Sequence, residues 1–354
     1  MQWNLKKMRL IIVAPMLLTL SFTHADIHDC NMPDLVKPSL TTPNLENCLA
    51  YLETDETFNP PGMPLTRNGK DFQISADVLL WQLQEDALVY AIESVTFTLP
   101  VGNDRIKPKY NWGFRLGLDY TLPHDNWDVA ATWTHLISSS QGNSTADTGN
   151  FLRKSGLILS SALVGFTDAN AKYHNRLEQI SINTGREFFI SKWVTLRPFF
   201  GIRSDWLHQR VRAIYSGVDL PSNQTSHRKV NWWGLGIESG LNTQWSFCGG
   251  FSFYGNVAGA IEYGSIKQIV DESGIITYSF VDSYRICRPI VNLQLGLGWD
   301  YNSYNDCFHL GLKLGWENHV FFNQSFLYNP GLFISASSGD LTYQGWTLHA
   351  NFDF

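Results

Sequence analysis

Charge is what this sequence has least of. Asp, Glu, Lys and Arg make up only 16% of its 354 residues, against roughly a quarter in soluble domains. The formal net charge is −6, which argues against a nucleic-acid binder built on a basic face. Cysteine is scarce: Cys30, Cys48, Cys248, Cys287 and Cys307 are all there are, and no two form a C-x-x-C pair. That spacing supports neither a zinc site nor thioredoxin-like redox chemistry. After residue 25 no apolar run approaches the ~18 residues that a spanning helix needs. The longest, residues 157–166, is broken by Ser160 and Ser161. Catalytic motifs are missing as well: there is no G-x-S-x-G, no H-E-x-x-H and no P-loop. Gly234, Gly236 and Gly240 lack the spacing of a dinucleotide fingerprint. Asp205 and His208 could suggest a hydrolase dyad, but by parity they lie on opposite faces of one strand. The expectation is therefore no enzyme, no metal and no cofactor.

What is abundant points to β structure. Aromatics reach 14%, with 28 Gly, a composition that suits strands and turns. The first 25 residues read as a signal peptide: Lys6, Lys7 and Arg9, an apolar stretch over 10–22, then Thr23-His24-Ala25 as a cleavage site. The mature chain would begin at Asp26, and loss of those three cations would take the net charge from −6 to −9. Residues 26–70 hold Pro33, Pro38, Pro43, Pro60, Pro61 and Pro64, a density that prevents regular helix or central strand.

From residue 71 a period of two takes over. Trp112, Phe114, Leu116, Leu118 and Tyr120 alternate with Gly113, Arg115, Gly117 and Asp119. Leu293, Leu295, Leu297 and Trp299 alternate with Gln294, Gly296, Gly298 and Asp300. Such alternation puts one set on each face of a strand. Aromatic residues cluster near the strand ends, as two interfacial girdles would require, and the connections alternate short and long. These features together predict an all-β, transmembrane antiparallel β-barrel over residues 71–354 with short periplasmic turns and long outer loops. Eleven strands are readable: 72–81, 87–95, 110–120, 127–137, 174–189, 193–213, 230–241, 245–263, 283–301, 307–321 and 341–354. Bacterial barrels favour even numbers, so twelve strands are expected, within a range of ten to fourteen, with 151–166 or part of the N-terminal segment as the missing one. The last strand ends in Phe352 and Phe354, an aromatic pattern like the one recognised by the barrel-assembly machinery, which makes the short turns periplasmic.

Several stretches resemble the Legionella-type major outer membrane proteins, a family with relatives in chlamydia-like bacteria. They are Ala76-Asp77-Val78-Leu79-Leu80-Trp81, Trp112 through Tyr120, His124-Asp125-Asn126-Trp127-Asp128-Val129 and Arg197-Pro198-Phe199-Phe200-Gly201-Ile202-Arg203. The resemblance implies a pore-forming protein of the bacterial outer membrane, surrounded by its lipid, through which small hydrophilic solutes or ions diffuse. The alternative is a structural or adhesive protein whose sealed barrel anchors long outer loops. Relatives with cysteine-rich envelopes also form intermolecular disulfides, which would tie this chain to a second copy or to an envelope neighbour. A single Cys30–Cys48 bridge with inert remaining thiols is the other reading. Cys248 and Cys307 sit on strands with one other strand between them, about 10 Å apart, too far for a direct bond.

Alternation assigns Arg115, Asp119, Arg197, Arg203, Glu238, Lys313 and Glu317 to the pore lining. Counted along the strands, Arg115, Arg197 and Lys313 fall at similar depth, which predicts a local preference for anions. Pairing of these cations with carboxylates such as Glu238 and Asp119 is the alternative.

Overall fold

The computed structural model describes residues 72–353, except 86–87, 97–98, 123–126, 155–164, 192, 218–222, 248–249, 275–276, 303–308 and 328–336. The expected signal peptide, the Pro-rich segment, Cys30, Cys48, Cys248, Cys307 and Phe354 lie outside the described residues. Fourteen strands are described: β1 (Phe72–Glu85), β2 (Val89–Thr96), β3 (Leu99–Arg105), β4 (Tyr110–Thr121), β5 (Trp127–Thr145), β6 (Phe151–Lys154), β7 (Asp168–Arg186), β8 (Phe188–Ser191), β9 (Val194–Ser216), β10 (Gln224–Ser246), β11 (Phe251–Ser273), β12 (Tyr278–Asn302), β13 (His309–Leu327) and β14 (Ser337–Asp353).

Ten of these close an antiparallel barrel in the order β1, β4, β5, β7, β9, β10, β11, β12, β13, β14 and back to β1. The closing register sets Gln73 opposite Asp353 and Glu85 opposite Leu341. β8 pairs with β9 alone and stays outside the closure. The expected count of twelve is thus too high. Residues 87–95 are not wall: β2 belongs to a separate three-stranded sheet, ordered β3, β2, β6. Its alternation reflects a hairpin that buries Leu88, Tyr90 and Ala91. Among the described residues of 151–166, Phe151–Lys154 is a strand, and it joins β2 rather than the barrel. Parity is restored by removing a strand, not by adding one.

The long outer loops also need correction. β9, β10 and β11 run for 23 residues each and β12 for 25, against the 9–11 or so that cross a bilayer. Most of residues 215–229 and 264–282, which lie between the strands read from sequence, are paired strand. At the opposite end, where β1 starts and β14 finishes, the connections are short in sequence. Between β10 and β11, Gly250 takes φ +81° and Phe247 N–H reaches the Phe251 carbonyl at 2.7 Å. Only glycine adopts that φ without cost.

The outward face carries the apolar set: Trp112, Leu118, Ile202, Ile237, Leu295, Leu297, Leu314 and Phe352 are all exposed. On β10, Trp245 and Trp233 bracket this set, twelve residues apart. At ~3.3 Å per residue on a tilted strand, that spans about the ~25 Å of an outer-membrane apolar band. The inward face divides into two halves. Towards the terminal end it is polar. Towards the far end it is filled by side chains: Leu79, Trp81, Leu83, Leu207, Trp232, Ile266, Phe321 and Tyr343 are buried inside the barrel, with the polar Asn175, Gln209 and Gln324 among them. β2, β6 and their flanks cover that end, adding Leu88, Tyr90, Ile106, Leu152 and Phe166 to the same cluster.

Candidate functional site

The interior of the barrel is the candidate site, and three levels can be distinguished. Nearest the terminal end is a polar vestibule of about 360 Å³. Arg197 forms an ion pair with Asp128 and also donates to Asn183 at 3.1 Å. Lys313 makes no ion pair among the described residues and lies 5.9 Å from the Tyr254 ring. Asp119 and Glu187 line the same space. Tyr254 spreads over this wall because two glycines allow it. A Cβ on Gly315 would lie 2.3 Å from its hydroxyl, and one on Gly296 would lie 2.8 Å from its ring.

The next level is a band of charge with every described cation matched. Arg115 binds Asp77 at 2.9 Å and Glu317 at 3.0 Å, and its Nε donates to Thr134. Glu317 also accepts from Gln294 at 2.6 Å and lies 2.8 Å from His319. Arg203 is fully buried, 3.0 Å from Asp205, 3.5 Å from Glu238 and 3.7 Å from Glu262. Buried charges persist only when paired and hydrogen-bonded, and both arginines meet that condition.

Above the charges the lumen is crossed by hydrogen bonds between opposite walls. Tyr343 on β14 donates to Asn175 on β7 at 2.9 Å. Tyr173 and Gln209 both donate to Glu85 on β1, at 2.9 and 3.0 Å. Gln324 on β13 donates to Gln209 on β9 at 3.1 Å. Around them Trp81 stacks near His319, with centroids 4.5 Å apart, and Arg288 lies 3.9 Å over the Trp232 ring. The cap is fastened to the wall. Tyr215 donates to the Tyr90 carbonyl at 2.6 Å, and Lys154 pairs with Glu272 at 2.9 Å.

All seven residues assigned to the lining face inward, but they are not equivalent. Arg203 is buried in the charged band, Arg115, Glu238 and Glu317 belong to that band where it borders the vestibule, and Asp119, Arg197 and Lys313 line the vestibule itself. The cationic belt of Arg115, Arg197 and Lys313 is not realised. Two of the three are neutralised by carboxylates, and the vestibule lining has six carboxylates against three Lys and Arg. The partners are Asp77, Glu317 and Asp128; of the two proposed from sequence, Glu238 serves Arg203 instead. Asp205 points into the lumen and His208 outward, as parity requires, so they form no dyad. Cys287 is an exposed free thiol on the outward face.

The sequence reading missed the plug. Its signal was visible in Val78-Leu79-Leu80-Trp81, where apolar residues fill both faces of the strand. A strand with water on its inner face does not do that, and one buried on both faces does.

No curated protein sequence matches the chain. Among solved structures it is similar to the outer membrane protease OmpT from Escherichia coli: 10% identity, TM-score 0.45, covering 82% of this chain and 98% of that one. It is also similar to the Pseudomonas putida toluene transporter TodX, at 10% identity and TM-score 0.28, covering 84% and 93%. A Pseudomonas aeruginosa FadL homologue matches at 8% identity and TM-score 0.25, covering 80% and 89%. The family model described as Legionella pneumophila major outer membrane protein precursor matches residues 64–354, the whole described barrel, and the chain belongs to that family of bacterial outer membrane proteins.

Proposed function

We propose that this protein is a barrel with a closed lumen, anchored in the outer membrane with its terminal end periplasmic and its strand extensions and cap at the cell surface. Its role in this reading is structural or adhesive, carried by the surface end. The observation that supports it is the path Glu85–Tyr173–Gln209–Gln324, which joins β1, β7, β9 and β13 through the middle of the lumen. In a barrel only slightly wider than one filled by its own side chains, hydrogen bonds that span the lumen favour a closed path over a conducting one. Planar-bilayer recording of the purified, folded protein tests the reading. Quiet membranes at high protein density are expected, and stable discrete conductance steps would overturn it.

Passive diffusion of small hydrophilic solutes is the second reading, favoured by the polar vestibule, which reaches about half-way into the barrel. It requires the cap and the cross-lumen bonds to move aside. Swelling of proteoliposomes in a small sugar, by the unmodified protein, would support it. Export by the signal peptide, with cleavage before Asp26, and assembly through the terminal aromatic Phe354 belong to both readings.

A further inference from the structure

Charge is handled in opposite ways inside and outside this barrel. Inside, Arg115, Arg197, Arg203 and Lys154 each have a carboxylate partner. Outside, on the far parts of β7, β9, β10 and β11, the register lays cations side by side in three rows. Lys172 is beside Arg212, and Arg212 beside His227. His174 is beside Arg210, and Arg210 beside Lys229. Arg176 is beside His208, and the same row continues through Asn231 to Lys267. Arg176 pairs with Glu178. Lys172, Arg210, Arg212, Lys229 and Lys267 form no ion pair among the described residues, and Asp271 is the one carboxylate within these rows.

Like charges set directly opposite on neighbouring strands are destabilising, so a cluster like this needs an anion from outside the chain. Burial and the cations Lys229, Arg210 and Arg212 hold the His227 imidazole below its usual range, despite Asp271. Height identifies the anion. The next row towards the membrane is Glu178, Trp206, Trp233 and Ser265, and the row after it is Ile180, Ser204, Leu235 and Tyr263. Trp and Tyr mark the membrane–water interface. Lys229 lies four residues beyond Trp233 on β10, about 10 Å higher on a tilted strand, which is headgroup level. An open groove on this face is lined by Arg210, Arg212, His227 and Tyr278 together with the carboxylates Asp271 and Glu272, the second of which is occupied by Lys154.

We propose that this face binds the phosphate groups of an outer-leaflet glycolipid, whose acyl chains run down past Trp233, Leu235 and Ile237. Arginine is suited to this because its planar fork matches phosphate geometry. The site lies on the outer wall and is independent of whether the lumen conducts.

The test titrates folded protein in detergent micelles with bisphosphorylated lipid A, with the same lipid dephosphorylated, and with heparin as a soluble polyanion. The Arg210→Gln, Arg212→Gln, Lys229→Gln triple variant is expected to bind bisphosphorylated lipid A about tenfold or more weakly, a change of ~1.4 kcal/mol. The unmodified protein is expected to discriminate to a similar degree against the dephosphorylated lipid. Lys107→Gln with Lys109→Gln, exposed residues ahead of β4, should bind like the unmodified protein. Heat-modifiable electrophoretic migration verifies folding. If the triple variant does not fold, Arg212→Gln alone carries the test with a loss of a few-fold. Unchanged affinity in the folded variant, or equal binding of dephosphorylated lipid, would overturn the proposal. So would heparin binding tighter than lipid A and unaffected by Trp233→Ala, which would point to a soluble polysaccharide instead.

Discussion

Gln324 reaches Gln209 on the opposite wall, 3.1 Å away, only because β13 contains a bulge. The register of β13 against β14 slips between Phe321 and Ser325, with Asn323 at φ +53°. Plain alternation from Phe321 would turn Asn323 inward. The two extra residues on β13 turn Gln324 inward instead, where it is fully buried and also accepts from Arg288. Bulges commonly re-aim a side chain in this way.

Gln324→Ala should therefore leave the Gln209 side-chain carbonyl and one Arg288 N–H group without their partner inside the barrel. Unsatisfied buried groups cost about 1–3 kcal/mol, more when charged. Asn323→Gly should be neutral or slightly stabilising, since it keeps the backbone N–H that donates to Asp340 and relieves the positive φ. Urea unfolding in lipid vesicles measures both. Equal loss in the two variants would mean that the bulge matters for its backbone and not for the side chain it delivers.

Arg115→Gln and Lys313→Gln both remove one inward cation, and they should behave very differently. Without Arg115, Asp77 and Glu317 remain buried and unneutralised, and breaking a buried pair by removing one partner costs about 3–5 kcal/mol. Lys313 has no ion pair to lose, so its replacement should stay within about 0.5 kcal/mol. The same unfolding assay separates them. A large loss at Lys313 would place it in the charged band after all.

The face assignment predicts another contrast, between neighbours. Leu295 is outward and 58% exposed, so Leu295→Arg should destabilise the inserted barrel by roughly 2–4 kcal/mol near the midplane. Gln294→Arg faces the vestibule, where it would lose the bonds to Glu317 and Tyr254 but remain in contact with water and carboxylates. It should cost clearly less. Refolding yield into vesicles, compared side by side, decides; equal damage would mean the alternation is out of phase here.

Alternation made the faces of β4, β9, β12 and β13 legible from sequence, and with them the barrel and the inward position of Arg115, Arg203 and Glu317. It could not show what the inward face meets. A period of two reads the same whether the inner residue touches water, as Asp119 does in the vestibule, or an opposing wall, as Tyr173 does. Nor could it tell wall from cap: Val89–Thr96 alternates because a hairpin covering the far end also has a buried side. The bulge at Asn323 was illegible for a different reason. It is a two-residue slip in pairing, with no glycine or proline between Phe321 and Ser325 to mark it. Depth was misjudged because strands in a closed barrel are staggered, so counting from each turn set Arg115 level with Arg197, although the two sit in different networks.

Opening the plug should convert the vestibule into a conduit, and its charge then sets selectivity. The variant that tests this replaces residues 88–106 by a short Gly-Ser linker and carries Tyr173→Ala and Tyr343→Ala. It removes the cap hairpin together with both cross-lumen hydroxyls that bond Glu85 and Asn175. Each aromatic truncation should cost about 3–5 kcal/mol, so folding must be verified by heat-modifiable migration before recording. Planar bilayers containing the variant should show conductance steps that the unmodified protein lacks. Any ion then passes Asp77, Asp119, Asp128, Glu187, Glu238 and Glu317, opposed in the vestibule by Arg115, Arg197 and Lys313. Arg115 and Arg197 are already neutralised within their ion pairs, leaving Asp119 and Glu187 facing Lys313 alone. Rings of acidic side chains favour cations, so the reversal potential under a potassium chloride gradient should have the sign of cation preference. Asp119→Asn with Glu187→Gln, added to the open variant, should move it towards zero. Anion preference in the open variant would mean that Lys313 and the arginines dominate the field despite their partners, and that the cationic belt expected from the sequence governs permeation after all.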